Sequence, residues 1–247
     1  MECYLLRWKQ MQRRSFLALI FAWRPAHRAR VTLSGVAFQV LRYKRSNRRY
    51  LLIHGNEATA RELLTNWMYT HPGIGYLVAG QTRMVEIMGA KLDPNRMFSR
   101  VGAEASVRKL NPGWDAGKIG PVLDYLDRHR EELLKRLTPP AGGVTIALHN
   151  NNEGYNVNEE LADSDRTSIK QPENPHEFFL CTDERDFEML AKSPYNVVLQ
   201  NKKPKGDDGS LSRLAAARGF RYINLETTLG QFEEQIARLG WLDRNLE

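Results

Sequence analysis

Cysteine is almost missing from this 247-residue chain: there are two, Cys3 near the start and Cys181 in the apolar run "EFFLCT". Two cysteines exclude a disulfide framework and a cysteine-built metal site, and Cys181 reads as a small buried core residue. No internal repeat or low-complexity segment occurs. Nor does any stretch reach the roughly 20 consecutive apolar residues that a membrane helix needs. Acidic residues are missing from one region only. Residues 1 to 50 hold twelve Lys or Arg against the single acid Glu2, so the net charge of +7 belongs to the N-terminus. From residue 51 onward 24 basic residues face 28 acidic ones. A mildly acidic body argues against a nucleic-acid partner and against a membrane surface.

The length and the 42% hydrophobic content suit one large α/β domain. Its expected extent is 31 to 247, preceded by an N-terminal extension over 1 to 30. Within that extension "MQRRSFLALIFAWRPAHRA", from Met11, has two arginines, a short apolar segment from Phe16 to Trp23 and small residues near Ala29. It resembles a twin-arginine export signal, and the alternative is a short apolar segment packed on the domain. A periplasmic location follows from the first reading and a cytoplasmic one from the second.

From about residue 31 strand-like and helix-like segments alternate, the pattern of a three-layer sandwich with a mixed central sheet and helices on both faces. "VTLSGVAFQVL" and "RYLLIH" read as strands around the basic turn "RYKRSNRR". "ATARELLTNWMYTH" has helical spacing, "GYLVAG" and "TRMVEIM" are short strands, and "IGPVLDYLDRHREELLKRL" is a long amphipathic helix. "GVTIALH" is a buried strand, followed by strands at "HEFFLCT", "YNVVLQ" and "FRYINLE" and helices at "ERDFEMLAKS", "SLSRLAAAR" and "TLGQFEEQIARLGWL". Residues 93 to 115 and 150 to 176 have no regular pattern and are too long for ordinary connections, which makes them candidate functional loops.

Three strands end in groups capable of chemistry: "LLIHGNE", "TIALHNNN" and "RYINLE". Two histidines and a glutamate form the ligand set of an open catalytic zinc site. His54 and Glu57 would come from the first strand, with Gly55 allowing a sharp turn between them, and His149 from the second. Glu226, ending the third, would be the base for a zinc-activated water. Each has a plainer reading. Glu57 could favour a helix dipole, Asp93 and Arg96 could form a weak surface pair, and "GDDGSLSRL" is explained by a turn and Ser210 as N-cap.

His54-Gly55-Asn56-Glu57, "LDPNRMF" at 92 to 98 and "IALHNN" at 146 to 151 together resemble the ordered motifs of the zinc carboxypeptidase superfamily, which includes carboxypeptidase A and the succinylglutamate desuccinylase and aspartoacylase group. The resemblance spans about residues 50 to 226. It implies the corresponding sandwich fold and one Zn2+ per chain on His54, Glu57 and His149, with Glu226 as general base. It also implies that Asn95 and Arg96 hold a substrate carboxylate, a task that the planar fork of arginine suits. Arg100 or Arg108 would stabilise the oxyanion, and Tyr155 or Tyr195 would be the mobile tyrosine. One departure is Ala147, where the family often has an acidic residue two before the third ligand, so the group that orients His149 must come from elsewhere. The implied reaction is hydrolysis of an amide bond beside a free carboxylate. The substrate would be a small peptide or, as the alternative, an N-acyl amino acid. A non-catalytic carboxylate-binding module is the reading from outside enzymology, and Ala147 is its one support.

Overall fold

A computed structural model describes residues 27–152, 154–202 and 206–246. The twin-arginine segment therefore lies outside the described residues, apart from its last positions, 27 to 29. Those positions belong to a strand. β1 (His27–Leu33) and β2 (Val36–Tyr43) form an antiparallel hairpin registered from His27↔Arg42 to Leu33↔Val36. The sheet thus begins ahead of the expected start at residue 31. The single strand expected over "VTLSGVAFQVL" is also divided, because Ser34 and Gly35 both take positive φ and turn the chain back in the manner of a two-residue hairpin loop.

β3 (Arg48–Leu52), α1 (Ala58–Trp67) and β4 (Gly73–Val78) form a crossover unit in which β3 and β4 run parallel. A small ribbon of β5 (Val85–Ile87) and β6 (Ala90–Leu92) leads to a 3-10 turn at Pro94–Arg96, then α2 (Arg100–Leu110) and α3 (Ala116–Leu137). α2 falls inside a stretch expected to be irregular. Ser99 caps it by accepting from the Gly102 N–H, and Asn111 closes it by donating to Val107 O. Gly102 in the first turn and an outward Val101 blur its apolar stripe, which is why periodicity does not reveal it. β7 (Val144–Asn151) follows, buried along its whole length, then the short α4 (Val157–Glu160) and β8 (Arg166–Ser168). The remaining elements are β9 (Phe178–Cys181), α5 (Glu184–Leu190), β10 (Asn196–Leu199), α6 (Leu211–Arg218), β11 (Tyr222–Thr228) and α7 (Phe232–Asn245).

Among the described residues nine strands make one mixed sheet in the order β1-β2-β4-β3-β7-β11-β9-β10-β8, with β4, β3, β7 and β11 parallel at its centre. Strand alternation sends successive side chains to opposite faces, and the buried residues sort accordingly. Tyr50, Leu52, Ile146, Leu148, Ile223 and Leu225 join a core with α1, α5 and α7, while Leu51, Ala147 and Tyr222 join the opposite core with α2, α3 and α6. Helices therefore cover both faces, and the chain is an α/β sandwich around a large mixed sheet. The same alternation places His149 with Ala147, and Asn224 and Glu226 with Tyr222, on the α2, α3 and α6 side. Among the described residues no helix is long and apolar enough to cross a membrane.

Candidate metal centre and cleft

The site lies past the carboxyl ends of the parallel strands β3 and β7 and beside β11, where open α/β sheets place ligands. β3 stops at Leu52, and the chain turns through His54 and Gly55 into α1. The side chain of Asn150 accepts from the Ala60 N–H at 2.8 Å, tying the start of that helix to β7. Gly55 serves a close approach rather than a left-handed turn. Its N–H donates to Thr82 O at 3.0 Å, and a Cβ there would lie 2.6 Å from that same oxygen. This backbone contact fixes the 80 to 83 loop against the His54 turn. The guanidinium of Arg61 holds the loop from below through Val78 O and Gly80 O.

His54, Glu57 and His149 are all buried, and one ligand atom from each lies within 4.8 Å of the others. The Nδ1 atoms of both imidazoles face the same carboxylate oxygen, Glu57 Oε1, at 2.7 Å from His54 and 3.2 Å from His149. The other carboxylate oxygen, Oε2, is buried with no partner among the described residues. His54 Nε2 lies 2.9 Å from Asp93 Oδ1, so in a metal-bound state Asp93 would take the Nε2–H and leave the Nδ1 lone pair for the ion. Two imidazole nitrogens and a buried carboxylate with a spare oxygen form a donor set that fits a divalent metal, zinc among them. Burial alone would raise the Glu57 carboxyl, but His149 and His54 outweigh it and hold it down at about 2. Burial is likewise overcome at Asp93, where His54 and Arg83 keep the carboxyl well below its usual range. At His149 burial is overcome by Glu57, which raises the imidazole.

Asp93 was expected at most to pair with Arg96. It is instead fixed by its own N–H on Ser106 Oγ and, through Oδ1, by the Asn95 N–H, and it orients His54. Arg96 lies 3.5 Å from Asp208. Ala147 is fully buried in the core, and the backbone of His149 is held by the Gln235 amide, which donates to its carbonyl at 3.0 Å.

Glu226 sits on β11 directly across from His149 in parallel register, and the strand runs on past it to Thr228. It is therefore inside a strand rather than at its end or at the start of the last helix. Its two oxygens accept from Asn224 Nδ2 at 3.0 Å and Asn151 Nδ2 at 3.3 Å. Burial raises this carboxyl, with Glu57 adding to the effect and His149 opposing it.

A cleft of about 370 Å³ joins these groups with Asn95, Arg96, Arg83 and Asn150–Asn152, so the asparagine-rich stretch lines the site, partly as strand. Asn95 Oδ1 accepts from the Leu211 N–H, which leaves its NH2 group, the end that suits a carboxylate. Of the arginines proposed for an oxyanion, Arg100 pairs with Asp124 and Asp127 and Arg108 with Glu104, and neither lines the cleft. Arg83 does. It is 43% exposed and reaches Glu57 at 3.7 Å and Asp93 at 3.4 Å. Nothing local in "QTRMV" marks it, because its place depends on the Gly55 to Thr82 contact. Of the two tyrosines, Tyr155 lines the cleft and donates to Glu160 at 2.7 Å, whereas Tyr195 packs on Phe179 and Trp241 outside it.

The turn at 207 to 210 was expected to be only a turn and a cap. Ser210 does cap α6, but Asp208 and Ser210 also line the cleft. Gly209 has φ +76, and a Cβ there would lie 2.3 Å from Arg96 O; a Cβ on Gly102 would lie 2.3 Å from the Gly209 Cα. Gly209→Ala is expected to cost on the order of 2 kcal/mol or more, since left-handed strain and a backbone clash combine. Gly219→Ala, at φ +69 with open space around it, meets the strain alone and should cost about 1 kcal/mol. Equal denaturant midpoints for the two variants would show that the close backbone contact contributes nothing.

No protein-family model matches the sequence, and no curated protein matches it either.

Proposed function

We propose that the chain is a zinc-dependent hydrolase that cleaves an amide bond next to a free carboxylate, as the carboxypeptidase-like motifs imply. The observation that carries this reading is the presence in one cleft of three convergent metal donors, a separate buried carboxylate in register beside His149, and the half-exposed guanidinium of Arg96. His54, Glu57 and His149 would hold the ion. Zinc bound there supplies a lowered water pKa and a polarised carbonyl.

The chain's own groups divide the remaining work. Glu226, not needed as a ligand, takes the proton of the attacking water and returns it to the leaving amine. Asn224 and Asn151 keep its oxygens aimed. Arg83, at the mouth beside the metal donors, takes the role of receiving developing negative charge on the carbonyl oxygen, in place of Arg100 or Arg108. Arg96, with the NH2 of Asn95, holds the substrate carboxylate.

The direct test measures zinc content together with amine release from a panel of small peptides and N-acyl amino acids, each with a free or an amidated terminus. About one zinc per chain and turnover only of free carboxylates is the expected result, and preference within the panel separates a carboxypeptidase from an N-acyl amino acid deacylase. Zinc and carboxylate binding with no turnover of anything in the panel would favour the binding-module reading. Arg96→Ala should weaken free-carboxylate substrates by about 10- to 100-fold, the worth of a charge-assisted hydrogen bond, and leave amidated analogues nearly unchanged. Equal loss on both would make Arg96 a structural partner of Asp208.

A further inference from the structure

The three candidate metal donors come from two separate parts of the chain. His54 and Glu57 sit on the turn between β3 and α1, whereas His149 sits on β7. β3 and β7 pair from Arg48↔Val144 only as far as Leu51↔Ala147. Past that register no ladder joins the two among the described residues, so sheet pairing does not set the distance from His149 to the other donors. A different set of bonds keeps the donor atoms within 4.8 Å of one another.

Strand alternation sends Asn150 to the face of β7 opposite His149, toward α1 and α7. There Asn150, 8% exposed, accepts from the Ala60 N–H at 2.8 Å and donates to Gln235 Oε1 and to Thr227 O, each at 3.3 Å. Gln235, fully buried on α7, donates its NH2 to the carbonyl of His149 at 3.0 Å. One buried circuit thus runs from the helix whose N-cap is Glu57, through β7 and α7, and back to the main chain of His149. Beside it Thr59 Oγ1, on α1, accepts from the Gly230 N–H at 2.8 Å and closes that helix onto the loop before α7. The rest of the buried face of α7 is Arg238, Leu239 and Leu242, and packing alone would favour an apolar residue at 235, since a buried amide costs about 1–3 kcal/mol for each group left unanswered. We infer that Asn150 and Gln235 are positioning residues that fix the span of the His54, Glu57 and His149 triangle and thereby select which divalent ion it takes. The inference rests on the metal reading of that cluster, and neither residue need touch the ion. Donor type alone ranks divalent ions in a fixed order, and a protein departs from that order through geometry. A triangle held closed suits the short bonds of zinc, about 2.0–2.2 Å. One free to widen accepts a larger ion such as cadmium with less loss.

The test uses the full chain and the metals alone. Zn2+ and Cd2+ affinities are measured by competition with a chelating dye, and the absorption bands of the Co2+-loaded chain report donor geometry. In Asn150→Ala and, separately, Gln235→Met, zinc affinity should fall by about 10-fold or more, the worth of a group that orients a ligand. Cadmium affinity should fall less, so the Zn2+ to Cd2+ ratio drops, and the Co2+ bands should shift. The double variant should lose little more than either single one, because both residues act in one circuit. Leu242→Ala is the control: it opens the core further along the same helix, so it should lower the denaturant midpoint and leave the ratio unchanged. If Asn150→Ala does not fold, Gln235→Met carries the test, since it keeps the Asn150 bond to Ala60. A parent-like ratio and parent-like Co2+ bands in the folded variants overturn the inference and leave the metal centre standing. No metal binding by the parent overturns both, whereas zinc binding without hydrolysis overturns the hydrolase reading alone.

Discussion

Glu226→Gln is expected to keep its zinc and to lose turnover by roughly 10²-fold or more, the contribution of a positioned general base. The expectation rests on a division of labour. The metal donors come from the His54 turn, α1's approach and β7, while Glu226 belongs to β11 and receives hydrogen bonds from Asn224 and Asn151. A glutamine has the same shape but cannot accept the proton. It also turns one NH2 toward an asparagine NH2, a donor facing a donor, so a stability loss of about 1–3 kcal/mol should accompany the loss of rate. Thermal unfolding of the variant separates the two effects. Retained turnover would place the base elsewhere. Glu153 lies outside the described residues and Glu159 is occupied in the capping box of α4, which leaves Glu160, on the cleft wall, as the next group to replace. Loss of zinc would recast Glu226 as part of the metal centre.

For His149→Ala, and equally His54→Ala, zinc affinity should fall by more than the roughly 10- to 100-fold that a partner of a ligand is worth. Asp93→Ala supplies that smaller step for comparison, because Asp93 touches only the far nitrogen of His54. Competition with a chelating dye reads all three. A graded series, large for either histidine and intermediate for Asp93, is the signature of direct donors backed by an orienting carboxylate. Equal occupancy in the histidine variants and the parent would remove both residues from the metal centre.

The elements that position the centre were readable because each rests on a local pattern. Buried strands such as "GVTIALH" and the long amphipathic α3 announce themselves by composition and period, and the His54, Glu57 and His149 spacing by motif. What stayed hidden depends on contacts between distant parts of the chain. Arg83 reaches the donors only because Gly55 accepts a backbone neighbour at Thr82, Asp93 becomes the partner of His54 through a turn that Ser106 anchors, and α2 is masked by a glycine that tertiary packing demands. The Ser34–Gly35 turn was local and legible in principle, but the apolar residues on both sides of it read as one continuous strand.

On the proposed hydrolase reading, the Gly102 and Gly209 contact bears on substrate length. Where two main chains meet with no side chain between them, their separation cannot be tuned by repacking, and here that junction carries the turn bearing Arg96. The main chain at Arg96, the proposed carboxylate anchor, is thus fixed by backbone contact with Gly209, and Glu226 is set by its strand register. The span between anchor and base behaves as a ruler of fixed gauge. In the proposed hydrolase a substrate one backbone unit too long or too short would meet the anchor with its scissile bond out of reach, so the distance from its end, more than the sequence upstream, would decide which bond is presented for cleavage.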